Sequence, residues 1–304
     1  TNGWIPIEDD TVTEVPVAPS ANPTGIFFGG YTGSFVGMSN LVSSAGVVAS
    51  DVSAVGTARR ASGGCEFGND KGIFAYGNAT GGTDVSMSNL VSNSGVIAAD
   101  VTGVGTARYA LAAATYGGDK GIMGFGTGGS GITNLVTNVG VVGTDVDEVG
   151  TARYDIAACE YSSNKDKAIF AYGYTSSAVS MSNLVSNEGV VASDVTGVGT
   201  ARAAPAAADY GGDKGIFGYG ENAYVSLTNL VSNVGVIATD TTGVGTARSY
   251  LGATQYGTDK AIFAYGTTGS VTAVSNLVSN AGVVATDVSG VGTARQQTAA
   301  CSWG

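Results

Sequence analysis

Six arginines close the same tetrapeptide, Gly-Thr-Ala-Arg, at Arg59, Arg108, Arg153, Arg202, Arg248 and Arg295, and an aspartate stands eight residues before each, at Asp51, Asp100, Asp145, Asp194, Asp240 and Asp287. A guanidinium is a rigid fork of donors that grips anions and carboxylates. The set therefore suits either an anion-binding ring or a charge-assisted bond, to the aspartate or to carbonyls of a neighbouring unit, that pins one unit to the next. Sixfold recurrence favours the structural use, since sites usually break symmetry. Other chemistry is sparse. With no histidine in 304 residues, Ser-His triads and His-ligated metals are excluded. Asp145-Val146-Asp147-Glu148 is the one carboxylate cluster in a repeat, while siblings read Asp-Val-Thr-Gly or similar, with no second acid, so no metal and no cofactor is expected. The Asp-Lys pairs (Asp70-Lys71, Asp119-Lys120, Asp166-Lys167, Asp213-Lys214, Asp259-Lys260) suit a turn running into a strand.

Cys65, Cys159 and Cys301 fall six residues after their arginines, in alternate repeats. They read as small apolar substitutes for Ala114 or Ala208, or as a three-fold set near an axis. Three cysteines without Cys-x-x-Cys indicate neither a disulfide framework nor a zinc ribbon.

These residues are positioned by a repeat, seen in residues 182–202 as SNLVSNEGVVASDVTGVGTAR. Its leading asparagine recurs at Asn40, Asn89, Asn134, Asn183, Asn229 and Asn276, always 19 residues before the arginine, while successive arginines lie 49, 45, 49, 46 and 47 residues apart. The element has constant length, so length variation is confined elsewhere. A period in this range fits propeller blades or helical arrays. Residue types decide: runs of β-branched, aromatic and small residues bounded by Gly, Asn or Asp predict strands, and no segment sustains a helical spacing. After Arg108, strands are expected at residues 109–116, 120–126, 132–137 and 140–145.

The expected fold is all-β, a six-bladed β-propeller of four-stranded blades spanning residues 25–304. The first repeat lacks its innermost strand, and the segment after Arg295, QQTAACSWG, aligns with it. The C-terminal strand is therefore expected to complete the first blade and remove two open sheet edges. A right-handed β-solenoid is the other architecture in range, but it does not explain complementary partial repeats at the two ends. Residues 1–24 hold four of the five prolines and read as an extended, acidic arm whose Trp4, Ile5 and Ile7 could dock on a partner subunit or pack back.

The stretches GTARYALAAATYGG (105–118), KGIFAYG (71–77) and KGIFGYG (214–220) resemble the inner and second strands of kelch-type β-propellers. The Gly-Gly doublet of that family survives only at Gly29-Gly30, and its outer-strand tryptophan is missing. The uniform wording of the repeats is also similar in style to repeat proteins of phage and other viral particles. Neither resemblance implies catalytic residues.

A net charge of −11 argues against nucleic-acid phosphates and anionic membranes as partners, and nearly every positive charge belongs to the repeat, Arg60 and Lys165 excepted. No apolar run is long enough for a membrane span, and the N-terminus lacks signal-peptide character. Asymmetry lies in one loop: from the glycine ending the second strand to the next repeat asparagine there are 10, 12, 8, 10, 9 and 10 residues. Loops on a rigid scaffold carry recognition. Tyr31, Phe35, Asn78, Asp84, Tyr174 and Tyr224 are the expected contacts. The expected function is a non-enzymatic structural or adhesion module of a larger particle, such as a viral one, outside the cell or on the particle surface, that displays this face to a receptor or neighbouring subunit. A carbohydrate-binding lectin of the propeller type is the alternative.

Overall fold

The computed structural model describes residues 24–53, 55–128, 131–147 and 149–303. Trp4, Ile5 and Ile7 lie outside them. Among the described residues all regular elements are strands: β1 (Thr24–Tyr31), β2 (Phe35–Val42), β3 (Arg59–Arg60), β4 (Gly63–Phe67), β5 (Lys71–Ala79), β6 (Thr83–Val91), β7 (Ala112–Tyr116), β8 (Lys120–Gly124), β9 (Thr133–Val136), β10 (Ala157–Tyr161), β11 (Lys167–Ala171), β12 (Ser182–Val185), β13 (Ala206–Tyr210), β14 (Lys214–Gly218), β15 (Thr228–Val231), β16 (Gly252–Tyr256), β17 (Lys260–Ala264), β18 (Ser275–Val278) and β19 (Ala299–Trp303). They make six small antiparallel sheets, one per repeat. The first sheet is ordered β19-β1-β2, so the two ends of the described chain pair, with Ile26 opposite Cys301 and Phe28 opposite Ala299.

Each middle strand is buried along nearly its whole length, as in β5, where only Lys71 is exposed. Covering both faces of a sheet demands continuous apolar wording such as GIFAYG rather than alternation. The covers are the neighbouring sheets. Six apolar clusters lie each between two consecutive sheets, and one of them, with Phe27, Val42, Ile262 and Tyr265, joins the sixth sheet to the first. Ring pairs cross these boundaries, among them Phe125 with Phe170, Tyr172 with Phe217, Tyr219 with Phe263 and Phe27 with Tyr265, at centroid separations of 5.2 to 5.4 Å.

A circuit of backbone hydrogen bonds links the starts of the inner strands. The amide of Ala61 donates to Gln297, Gln297 to Tyr250, Tyr250 to Ala204, Ala204 to Asp155, Asp155 to Ala110, and Ala110 to Ala61, at 2.7 to 3.1 Å. All six donors occupy the left-handed region, with φ from 47° to 57°. That conformation costs an L-residue about 1 kcal/mol or more. Here it turns each amide toward the adjacent inner strand, and the inter-sheet bond offsets the cost.

Five of the six sheets have three strands, and the sheet of β4, β5 and β6 gains only the two-residue β3, so the expected continuous fourth strand does not form. The segment expected as the fourth makes two isolated bridges to the third strand in each repeat, such as Val42 with Val48 and Ser39 with Val52. A side chain is the cause. Asn40 Nδ2 donates to the carbonyl of Ala49 and to Asp51 Oδ1 at 2.9 and 2.8 Å, taking a carbonyl that a ladder amide would otherwise use. Its counterparts Asn89, Asn134, Asn183, Asn229 and Asn276 do the same.

The cysteines are buried in the seams between sheets. Burial pushes the Cys65 thiol up to about 12, which makes it inert as a nucleophile. Their alternation has a packing reason. Cys65, Cys159 and Cys301 each face a glycine of the next sheet, respectively Gly121, Gly215 and Gly72, whereas Ala114 and Ala208 share clusters with Ala168 and Ala261 at the same place. A Cβ added at Gly121 would stand 2.5 Å from Cys65 Sγ. We expect Gly121→Ala to cost roughly 1–3 kcal/mol in urea denaturation, and Cys65→Ala on top of it to restore most of the loss. Additive losses in the double variant would refute the volume match.

Candidate functional site

The six arginines do not line an open mouth; each is at most 1% exposed and lies between two sheets. Arg108 shows the arrangement. Its guanidinium stacks 4.3 Å from the Tyr76 ring of one sheet, and it donates to the carbonyls of Phe125 and Thr106 and to Asn134 Oδ1 at 2.7, 3.0 and 2.7 Å. Arg153, Arg202, Arg248 and Arg295 stack likewise on Phe125, Tyr172, Tyr219 and Tyr265, and Arg59 on Phe28. Where an arginine reaches an aspartate it is that of the following repeat, at 3.7 to 3.9 Å for Asp100 with Arg59, Asp194 with Arg153 and Asp51 with Arg295. The sequence expectation of the aspartate eight residues before is corrected accordingly.

That aspartate has another partner. Asp100 takes the amide and hydroxyl of Thr57 from the preceding Gly-Thr-Ala-Arg, and the pattern repeats to Thr293 on Asp51. Burial acts to raise these carboxyls, but the hydrogen bonds from threonine and asparagine, with the arginine charge, outweigh it and hold them below the ordinary value. Asp145 is used the same way by Thr106 and Asn134. Glu148 lies outside the described residues. Among the described residues no group of three His, Cys, Asp or Glu is placed to hold a metal ion, and no helix is long and apolar enough to cross a membrane.

The inner strands carry, seven residues after each arginine, Glu66, Thr115, Glu160, Asp209, Gln255 and Ser302 around a central cavity of about 50 Å³. Burial raises Glu160 well above the ordinary carboxyl value, and Asp209 as well. Lys165, from the insertion unique to that repeat, places Nζ 3.7 Å from Glu160 Oε1. Burial works to lower its ammonium, and the charges of Asp209, Glu160 and Glu66 raise it on balance. The insertion thus supplies a tethered counter-ion to an acidic interior.

Symmetry breaks at the opposite end of the inner strands. Directly after the glycine that ends each second strand stand Tyr31, Asn78, Thr127, Tyr174, Glu221 and Thr267, and directly after each arginine Arg60, Tyr109, Tyr154, Ala203, Ser249 and Gln296. Bridges join the two sets, Tyr31 with Gln296, Tyr154 with Tyr174, Ala203 with Glu221 and Ser249 with Thr267. Arg60 pairs with Asn78 across β3 and β5.

The expected contact residues fall in two groups. Tyr31 and Phe35 meet edge to face at 5.5 Å, and the Arg60 guanidinium lies 5.0 and 5.2 Å from their rings. Across β3, Asn78 Nδ2 donates to Asp84 Oδ1 at 2.7 Å. Tyr174 and Tyr224 follow the second strands of two other repeats, where together with Ser176, Ser177, Ala203, Glu221 and Asn222 they line a cavity of about 500 Å³. Ala203 is the smallest residue in its set of six, and that leaves the space.

Sequence reasoning missed the polar network at this mouth. Tyr250 Oη is 3.1 Å from Glu221 Oε1 and 3.2 Å from Asp155 Oδ2, and Ser249 donates its hydroxyl to Glu221 Oε2 at 3.1 Å. Burial pushes Asp155 up to about 7; the Tyr250 hydrogen bond opposes this, the Glu221 charge adds to it, and Arg60 across the mouth lowers it. Burial and the two facing carboxyls drive the Tyr250 phenol far above its ordinary value. The available signal was positional: Glu221 and Ser249 stand directly after the repeat glycine and arginine, where the repeats vary, and Asp155 and Tyr250 stand one residue further on, where three repeats keep alanine. A scan against protein-family models finds no match, and no curated protein matches the chain.

Proposed function

We propose that the chain is a six-bladed, kelch-like β-propeller that works as a non-enzymatic structural and adhesion module, carried on a larger particle by its N-terminal arm and recognising a receptor or neighbouring subunit through its variable-loop face. In each blade the segment after the third strand is held by an asparagine and makes isolated bridges instead of a continuous strand. The observation that carries the reading is the cavity of about 500 Å³ between Tyr174 and Tyr224, located where the otherwise uniform repeats vary most. Supporting it, the six repeat arginines, the six repeat aspartates and the three cysteines are committed to the seams, which leaves the loop face as the place for recognition.

The test uses surface-captured full-length protein, exposed to candidate host cells or particle subunits. Tyr174→Ala with Tyr224→Ala is expected to abolish attachment while melting stays unchanged. Attachment equal to the parent in that double variant would sink the reading. A lectin is the second reading, favoured by paired tyrosines beside Ser176, Ser177 and Asn222, groups that stack on and hydrogen-bond sugars. A broad glycan array decides it, silence counting against.

A further inference from the structure

The cavity's polar anchor is Glu221, and its two oxygens each accept one hydrogen bond, from Tyr250 and Ser249. A carboxylate oxygen has a second acceptor site, so both remain able to bind a donor in the cavity. The residues lining the cavity are Tyr174, Ser176, Ser177, Ala178, Ala203 and the segment from Glu221 to Tyr224, with no lysine or arginine. Behind Glu221, Tyr250 also contacts Asp155. One phenol hydrogen cannot serve two carboxylates, so the three groups need one further proton or a nearby cation to keep both contacts. The charged and titratable groups facing Asp155 are Tyr250, Glu221, Tyr154 and, across the mouth, Arg60. Arg60 is held by the Gln297 amide oxygen at 3.0 Å and by the rings of Tyr31 and Phe35, so it does not fill that need at Glu221.

We propose that the cavity between Tyr174 and Tyr224 binds an organic ammonium group, with Glu221 as its counter-charge, the two tyrosines as its aromatic flank, and Asp155 as the carboxyl that releases a proton when the cation enters. This rests on the reading of the loop face as the recognition face, and it names the chemistry recognised. Tyrosine faces attract cations within about 6 Å, and a carboxylate already fixed by two donors needs no reordering to meet one. Two sources carry such a group: a lysine side chain of a partner protein, or an amino sugar.

Calorimetric titration of the full chain decides. The probes are Nα-acetyl-lysine amide and glucosamine, with Nα-acetyl-glutamine amide and glucose as neutral controls. Either cation is expected to bind and both neutral probes to fail; the lysine probe binding tighter assigns a protein partner, glucosamine binding tighter an amino sugar. Affinity for the lysine probe should rise roughly tenfold between about pH 5.5 and about pH 8, because the cation competes with the Asp155 proton, and Asp155→Asn should flatten that profile. Glu221→Gln should lower affinity at least about tenfold. Ala203→Tyr should fill the cavity and abolish binding with melting unchanged, since tyrosine stands at the equivalent position in Tyr109 and Tyr154. Equal binding of neutral probes, no binding of either cation, or binding that survives both Glu221→Gln and Ala203→Tyr overturns the proposal. Attachment by the loop face that neither cation competes would sink this inference and leave the adhesion reading standing.

Discussion

Arg295→Ala is expected to lower the stability of the protein by about 3–5 kcal/mol in equilibrium urea denaturation. The side chain is fully buried between the last sheet and the first. It donates to the carbonyls of Gly29 and Thr293 and to Asn40 Oδ1 at 2.9, 3.1 and 2.6 Å, and stacks 3.9 Å from the Tyr265 ring. Truncation strips three acceptors of their donor, opens a void the size of a guanidinium, and leaves Asp51 with less of the charge that holds its carboxyl down. The loss should be local in its first expression. Amide exchange is expected to accelerate earliest in β17 and β1, the middle strands on either side of the broken seam, whereas Arg108→Ala, similar in total cost, should loosen β5 and β8. Uniform acceleration across all six sheets in both variants would contradict a stability carried seam by seam.

Asp155→Asn is expected to stabilise the protein above neutral pH. The sign follows from the direction of the shift: the Asp155 carboxyl titrates near 7 in the folded chain against 3.8 when unfolded, so the folded state holds a proton that the unfolded state has released. Stability from this group is fully present below about pH 4, is lost as pH rises toward 7, and stays lost above it. An asparagine keeps a hydrogen bond to Tyr250 at every pH. The variant minus parent difference in unfolding free energy should therefore grow between about pH 4 and about pH 7 and level off above it. Taking the difference removes the opposite trend of Asp51, Asp100, Asp194 and their equivalents, whose lowered carboxyls contribute stability above their unfolded value and lose it in acid. A flat difference curve would show that Tyr250, Glu221 and Asp155 do not share a proton.

Periodicity made much of this fold legible. Six copies of one wording became six sheets, and the alignment of QQTAACSWG with the missing first strand anticipated the pairing of β19 with β1. The fourth strand was overread because GVVASD has the apolar alternation of a strand, while the competitor, a buried asparagine reaching across to a backbone carbonyl, leaves no periodic trace. The arginines read as scaffold with two partners in view; the backbone carbonyls are used, while the aspartate eight residues back, favoured by proximity along the chain, is replaced by that of the next repeat. Of the loop-face residues, Tyr174 and Tyr224 came together. Glu221, Asp155 and Tyr250 could not be singled out beforehand, because each stands once and its meaning arises only when three sheets meet at one mouth.

The pairing of β1 on both edges also has a mechanical side. A load applied to the chain ahead of Thr24 enters the protein along β1, which lies between β19 and β2 in antiparallel register. Tension along that axis strains the flanking hydrogen bonds in shear, many at once, rather than unzipping them singly from a free edge. The pairing that joins the two ends of the described chain is therefore also the one that such a load would test.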